Sequence, residues 1–238
     1  MKLLLILSLA SSSLISFAQI NLLKKVSVKA EGLINDEVQF SEDDIAAALK
    51  ETLARGISYS VNLASTDGGF NNNKTIRIPF PDEFIKIKTY LLKLGFNGQV
   101  EEFENSMNQS AETASQQALS IFMEAINKMS MNDVLTILNG ENNAATFYLK
   151  NNTHEFLYSE FKPIIISSME KVDLSKKWNL LIKKYNAISF TEKLNPDLED
   201  YITTKTINGL FILIAEKEIE IRTKPEARTT DLLIKIFK

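Results

Sequence analysis

Residues 197–222 read DLEDYITTKTINGLFILIAEKEIEIR, and they decide the fold. The centre of this stretch, LFILIA at residues 210–215, is apolar for more than one helical turn. A helix that is apolar on every side is buried in a protein core. The run is far shorter than the ~20 apolar residues that a membrane span needs. We therefore expect a core helix over about 198–222 in a protein that does not span a membrane, with other helices packed around it.

The composition of the chain also favours long helices. Its 238 residues include only 8 Gly and 5 Pro, and the compact run of turn residues is confined to 65–81. The sequence predicts an all-α, single-domain bundle of about nine helices with one irregular loop at 65–81. A formal net charge of −3 argues against a general nucleic-acid binder, because such a protein needs a basic face.

The first residues, MKLLLILSLASSSLISFAQ, have the layout of a signal peptide over 1–18. Lys2 supplies the positive region, Leu3–Leu9 the apolar region, and Ser16-Phe17-Ala18 the small-x-small cleavage pattern. We expect cleavage near Ala18, an N-terminal arm over 19–40 and a helical domain over 41–238. The chain has no Cys, so it has neither a disulfide nor a lipobox cysteine. Export without disulfides is typical of a periplasmic protein.

Apolar spacing and turn residues predict the remaining helices. The predicted spans are 42–64, 82–94, 99–129, 131–139, 142–172, a helix from Asp173 or Ser175, and 231–237. Capping boxes are expected at Ser41–Asp44 and Ser130–Asp133, and a single cap at Asp82. Gly140 is expected just past a helix end. Pro163 is expected to kink or split the helix that contains it.

The longest irregular segment is STDGGFNNNKTIRIPFPD, residues 65–82. Asp67-Gly68-Gly69 has turn chemistry, and Asn71-Asn72-Asn73 tolerates left-handed backbone. Two prolines near the end of the segment disfavour helix before them and allow an extended stretch over 75–78. We expect this loop to pack against the C-terminal segment 225–238. Long ordered loops are often functional, although many only connect helices.

Seven short segments carry a resemblance that spans nearly the whole mature chain. They are DGGF at 67–70, IPFP at 78–81, LNG at 138–140, AAT at 144–146 with Tyr148, FKPI at 161–164, NGLF at 208–211 with Ile214-Ala215, and ARTTDLL at 227–233. Together they resemble the bacterial exported proteins grouped as domain of unknown function 4197 (DUF4197). The resemblance implies an exported bacterial protein and supplies no activity. Some members of that family look like lipoproteins, from which this chain departs because it has no Cys at the cleavage site.

The residue types present exclude several catalytic chemistries. His154 is the one histidine, and no G-x-S-x-G pattern exists, so a Ser-His-Asp triad has little support. Without Cys there is neither a Cys nucleophile nor a Cys/His zinc set. No P-loop, dinucleotide or EF-hand pattern appears, and we predict no cofactor. A calcium or magnesium site made of carboxylates alone stays open, although we assign no metal ligand.

Charged residues near the end of the core helix are interpreted as a solvated face. Glu216, Glu218 and Glu220 alternate with Lys217 and are followed by Arg222. Glu216 and Glu220 share a face, which is the pattern of paired catalytic carboxylates. Interleaved opposite charges are more typical of a helix end in water.

The candidate binding residues lie in the loop, near the turn at 139–153 and before the last predicted helix. They are Asp67, Phe70, Asn73, Arg77, Thr146, Tyr148, Arg228 and Thr230. Arg228 beside a helix start can bind an anion, with Thr229, Thr230 and Asp231 adding hydroxyls and a carboxylate. Alternatively, Arg228 pairs with Asp67 and ties the loop to the C-terminus. Thr146, Tyr148 and Thr153 either line a pocket or pack in the core.

Three function hypotheses follow. The first is a non-catalytic cell-envelope module that binds an unknown protein or small ligand through the 65–81 loop and the Arg228 region. The second is a periplasmic carrier that holds an apolar small molecule among its helices. The third, an enzyme using carboxylates, Tyr or a metal, is the least supported, because His, Cys and motif evidence is lacking.

Overall fold

The computed structural model describes residues 41–186 and 197–228, together with Ile234. Within this part the chain forms eight α-helices and two short 3-10 turns and has no strand, which confirms the all-α prediction. The signal peptide predicted at 1–18 and the arm at 19–40 lie outside the described residues. The helices are α1 (Glu42–Ser65), α2 (Ile85–Lys93), α3 (Asn97–Ser115), α4 (Ala118–Asn127), α5 (Met131–Leu138), α6 (Ala144–Lys171), α7 (Leu174–Asn186) and α8 (Leu198–Thr223).

Helix α8 is the core helix, as predicted. Its N-terminus is capped by Asp197, whose side chain accepts a hydrogen bond from the backbone N–H of Asp200 at 2.9 Å. It packs against α1, α3 and α6. The helix is not buried on every side, because Ile212 and Ile219 are 40% and 42% exposed. The α8 residues buried among its neighbours include Ile202, Ile207, Leu210, Phe211, Leu213, Ile214 and Ile221.

The prediction of one helix over 99–129 is wrong, because this part of the chain forms two helices, α3 and α4. The break falls at Gln116 and Gln117, where the N–H of Gln117 bonds to the carbonyl of Ala114 in a 3-10 turn. The preceding turns are rich in hydroxyls, and Thr113 and Ser115 both bond to the carbonyl four residues before them. Such back-bonding bends helices, and local spacing of apolar residues does not reveal it.

Smaller expectations about the helices are confirmed in part. Of the two effects expected of Pro163, a kink or a split, the split is wrong, because α6 is one continuous helix from Ala144 to Lys171. Asp82 begins a 3-10 turn and makes no side-chain cap for α2. Gly140 lies just past the end of α5, as predicted, without a left-handed backbone, and a Cβ there would lie 2.5 Å from the Cβ of Ala144. The capping box of Ser130 and Asp133 is also confirmed.

An aromatic cluster fixes the end of the 66–81 loop to the helices. The ring of Phe80 lies 5.3 Å from that of Phe103 and 6.0 Å from that of Trp178, measured between ring centroids. Phe84, in the 3-10 turn directly before α2, makes an edge contact with Trp178, with 5.3 Å between the ring centroids. Since Phe103 lies on α3 and Trp178 on α7, the cluster joins the loop to both helices. Aromatic contacts of this kind add to the stability gained from burial alone.

Candidate functional site

The 66–81 loop lies along one face of α3 that carries three buried polar residues. These are Glu104, Asn108 and Glu112, which are 5%, 0% and 6% exposed. They are spaced four residues apart, so they project from nearly the same side of the helix. Buried polar groups on a helix need hydrogen-bond partners. The backbone of the loop supplies them.

Each of the three side chains accepts hydrogen bonds from the loop backbone. Oε1 of Glu112 accepts the N–H groups of Phe70 at 3.0 Å and of Asn71 at 3.1 Å. Asn108 accepts the N–H of Ile78 at 2.8 Å and donates to the carbonyl of the same residue at 2.9 Å. Oε1 of Glu104 accepts the backbone N–H of Phe80 at 3.1 Å. The helix side chains thus take the place of a neighbouring strand.

The two carboxylates of this face differ in their charge partners. Glu104 forms ion pairs with Arg77, at 3.3 Å, and with Lys88. Glu112 has no cationic side chain within ion-pair distance in residues 41–186 and 197–228. Its second oxygen, Oε2, accepts no hydrogen bond from any residue in those ranges. Glu112 is therefore a buried carboxylate whose charge is only partly compensated.

A surface cleft of about 240 Å³ opens beside Glu112. Its lining has two carboxylates, four carboxamides and no basic side chain, and it consists of Asp67, Gly68, Asn71, Asn72, Asn105, Gln109 and Glu112. Carboxamides offer both donors and acceptors of hydrogen bonds. The cleft can therefore hold a polar molecule, and its charge favours a cation over an anion.

The structure brings only some of the predicted loop residues to this cleft. Asp67 lines it and is exposed. Phe70 is fully buried, with its ring against Gly209 of α8. Asn73 closes a turn, since its side chain accepts the N–H of Thr75 at 3.0 Å. Arg77 binds Glu104 and donates to the side-chain oxygen of Asn71 at 3.3 Å, so it supports the loop from behind the cleft lining.

Arg228 is not part of this site. Its guanidinium donates to the backbone carbonyls of Ile221, at 3.0 Å, and of Arg222, at 2.7 Å, and so caps the C-terminal end of α8. The loop instead meets α8 at Gly209, about 18 Å along the helix from Ile221. The predicted packing of the loop on 225–238 is therefore wrong for 225–228, as is the Arg228–Asp67 pair. Thr230 and the helix predicted at 231–237 fall outside the described residues, apart from Ile234.

A third buried carboxylate, Glu218, corrects the interpretation of residues 216–220 as a solvated face at that position, whereas Glu216 is exposed as expected. Glu218 is 6% exposed and accepts the backbone N–H groups of Ala145 at 2.9 Å and Thr146 at 2.7 Å, as well as the Thr146 hydroxyl at 2.7 Å. These N–H groups begin α6, whose dipole favours an anion. Arg222 pairs with Glu218 at 2.9 Å and donates to the carbonyl of Ile137 at 2.8 Å. Thr146 therefore has a structural partner rather than a place in a pocket.

Tyr148 lies in a separate groove between α4 and α6. The groove has a volume of about 280 Å³ and is lined by Ile121, Glu124, Ala125, Lys128, Tyr148, Asn152, Thr153 and Phe156. Burial, with a contribution from the negative charge of Asp133, raises the pKa of Tyr148 above its usual value. The phenol thus stays protonated and available as a hydrogen-bond donor. His154 is partly exposed, and its Nδ1 lies 3.5 Å from a carboxylate oxygen of Glu155.

Two negative findings apply to the described part of the chain. No group of three or more His, Cys, Asp or Glu side chains there lies close enough together to hold a metal ion. None of the described helices has the length and apolarity needed to cross a membrane, as the sequence predicts.

With the fold and these sites described, the chain can be compared with known proteins. A family model described as a protein of unknown function, DUF4197, matches residues 39–238. The chain belongs to the DUF4197 family. The matched range contains every site described above and confirms the resemblance found in the sequence. Comparisons with curated proteins and with solved structures find no significant match.

Proposed function

We propose that this DUF4197 protein is an exported, non-catalytic binding module of the cell envelope that takes its ligand or partner in the cleft beside Glu112. The observation that supports the proposal is that Glu104, Asn108 and Glu112 accept hydrogen bonds from the backbone of the loop. These bonds hold an irregular backbone in place, and a binding site needs such order to avoid losing entropy when the ligand binds. The amino-terminal signal pattern supports export.

The lining of the cleft favours binding over catalysis. Its carboxamide groups recognise polar atoms but do not transfer protons at neutral pH. The alternative of a carrier for an apolar molecule stays a prediction. The groove beside Tyr148 has apolar groups such as Phe156, but it is open to the surface and does not enclose its contents. An enzyme using carboxylates, Tyr or a metal stays the third hypothesis, and the carboxylates it would use in this cleft are Asp67 and Glu112.

Site-specific photo-crosslinking in the native bacterium tests the binding proposal. A photoreactive amino acid replaces Asn72 or Gln109, which are exposed and line the cleft. The control places it at Glu160, an exposed position on α6 away from the cleft. We expect a crosslinked adduct from the two cleft positions and none from the control. Equal labelling at all three positions, or none at the cleft, contradicts the proposal.

Export is tested separately by fractionation of the same cells. The mature protein is expected in the periplasmic fraction with Gln19 as its first residue, because the cleavage pattern ends at Ala18. N-terminal sequencing of the purified protein checks this. An intact Met1 in a cytoplasmic fraction contradicts the export part of the proposal and leaves the binding part to the crosslinking result.

A further inference from the structure

We infer that the cleft binds the primary ammonium group of a small polar molecule, with Oε2 of Glu112 as its main anionic acceptor. The inference rests on the proposed function, because it names the chemical class of ligand for the same cleft. Glu112 is buried, its Oε2 accepts no hydrogen bond from the described residues, and its side chain lines the cleft.

A buried carboxylate is costly unless a cation or several donors compensate it. The other two buried carboxylates in the part of the chain that the structure describes follow that rule. Glu104 has Arg77 and Lys88, and Glu218 has Arg222. Glu112 has two backbone N–H groups, both on Oε1. Glu112 therefore differs from the other two in having no cation within ion-pair distance among the described residues, and its side chain lines the cleft.

The rest of the lining matches an ammonium group better than a metal ion. An ammonium has three N–H donors and needs three acceptors. Oε2 of Glu112, the carboxylate of Asp67 and a carboxamide oxygen of Asn105 or Gln109 supply that number. A calcium ion takes six to eight oxygen ligands, and no third acidic side chain lies close enough in the described chain to complete a metal-binding group.

The size of the cleft indicates what the ammonium is attached to. A volume of about 240 Å³ corresponds to roughly eight water molecules at their share of liquid volume, which is the bulk of a small organic molecule rather than of a bare ion. The carboxamides of Asn72, Asn105 and Gln109 can both donate to and accept from hydroxyl or amide groups. The class is therefore a small amine that carries hydrogen-bonding groups, such as an amino sugar.

Matched pairs of probes test the inference on the mature protein. Glucosamine is compared with glucose, and 1,4-diaminobutane with 1,4-butanediol, by following the backbone amide signals of Phe70 and Asn71 in NMR titrations. These two N–H groups donate hydrogen bonds to Glu112, so their chemical shifts are sensitive to a cation that binds its carboxylate. We expect at least one ammonium probe to shift them saturably, with a Kd about tenfold or more below that of its neutral counterpart.

Two variants assign the effect to Glu112. Glu112→Gln keeps an oxygen for the N–H groups of Phe70 and Asn71 but removes the charge, and we expect it to abolish the preference for the ammonium probe. Glu216→Gln removes one charge from an exposed position on α8 outside the cleft and should leave the preference unchanged. This control separates a local interaction from the effect of net charge.

Several outcomes overturn the inference. They are equal binding of charged and neutral probes, no saturable shift by any probe at tens of millimolar, and a preference that survives Glu112→Gln. Calcium chloride is titrated in parallel, and a tighter, Glu112-dependent shift by calcium means a metal site instead. If crosslinking at Asn72 captures a partner while the ammonium preference is absent, the ligand class is wrong and the proposed binding function stands.

Discussion

Two buried glutamates of this protein, Glu112 on α3 and Glu218 on α8, perform the same local task in different surroundings. Each accepts two successive backbone N–H groups from a distant segment, Glu112 from Phe70 and Asn71, and Glu218 from the first turn of α6. Glu218 also accepts a hydroxyl and pairs with Arg222, so its charge is fully surrounded. Glu112 uses only Oε1 for hydrogen bonds within the described residues, and its side chain lines an open cleft.

The difference separates a structural carboxylate from one available to a ligand. A buried carboxylate that already has a cation and hydrogen-bond donors, such as Glu218, can give them up for a ligand only at a large cost in free energy. A buried charge without a cation lowers stability, and residues that break local rules in this way tend to be functional. On this comparison Glu218 holds two helices together, whereas Glu112 supports the loop and, in our proposal, also binds the ligand.

The largest expected effect comes from breaking the closed cluster. Glu218→Ala removes the acceptor for three donors and leaves Arg222 buried without its carboxylate. We expect the free energy of unfolding to fall by about 3–5 kcal/mol, as when one partner of a buried pair is removed. Urea denaturation followed by circular dichroism measures it. A loss below about 1 kcal/mol means that Glu218 is solvated after all.

A smaller effect is expected from changing the place where the loop meets α8. A Cβ at Gly209 would lie 2.8 Å from Cε1 of Phe70, whose ring is fully buried. Gly209→Ala should therefore cost about 1–3 kcal/mol through overpacking. It should also speed amide hydrogen exchange at Phe70 and Asn71, because their bonds to Glu112 depend on the position of that ring. Gly98→Ala, at a position with open space around it, is the control.

The smallest effect concerns Glu220, an acidic residue two positions beyond Glu218 that is partly exposed. A hydrogen bond and ion pair with Lys217 lower the pKa of Glu220 below its usual value. A lowered pKa in the folded state stabilises the protein above the unfolded pKa, and this stabilisation is lost as the pH falls through the folded pKa. Glu220→Gln should remove at most about 0.5 kcal/mol at neutral pH, with no difference from the parent at low pH. Urea denaturation at both pH values provides the check.

The sequence predicts the scaffold well where the signal is local. Helix α8 is expected over 198–222 and is found over Leu198–Thr223, and α1 agrees equally closely. For these two helices, an apolar pattern and a capping residue are enough to predict where the helix begins and ends. The break between α3 and α4 was missed because hydroxyl back-bonding leaves the apolar spacing intact across it.

The candidate site was harder to predict, for a physical reason. Glu104, Asn108 and Glu112 each follow an apolar residue of α3 by one position, so they lie at the edge of its buried stripe. What buries them is a loop more than twenty residues earlier in the chain, and no local pattern shows that contact. Glu218 did carry a signal. It falls between Ile214 and Ile221 at the spacing of the buried stripe of α8, a position where an acidic residue is expected to have a partner.

The comparison between the two glutamates is tested most directly by making the same neutral substitution at each, Glu112→Gln and Glu218→Gln, and measuring the free energy of unfolding of both variants in urea. At position 112 the new amide NH₂ can face the cleft, so we predict a change within about 1 kcal/mol of the parent. At position 218 the NH₂ must face either the N–H groups of α6 or Arg222, and we predict a loss of about 2–4 kcal/mol. Equal losses at the two positions would contradict the account.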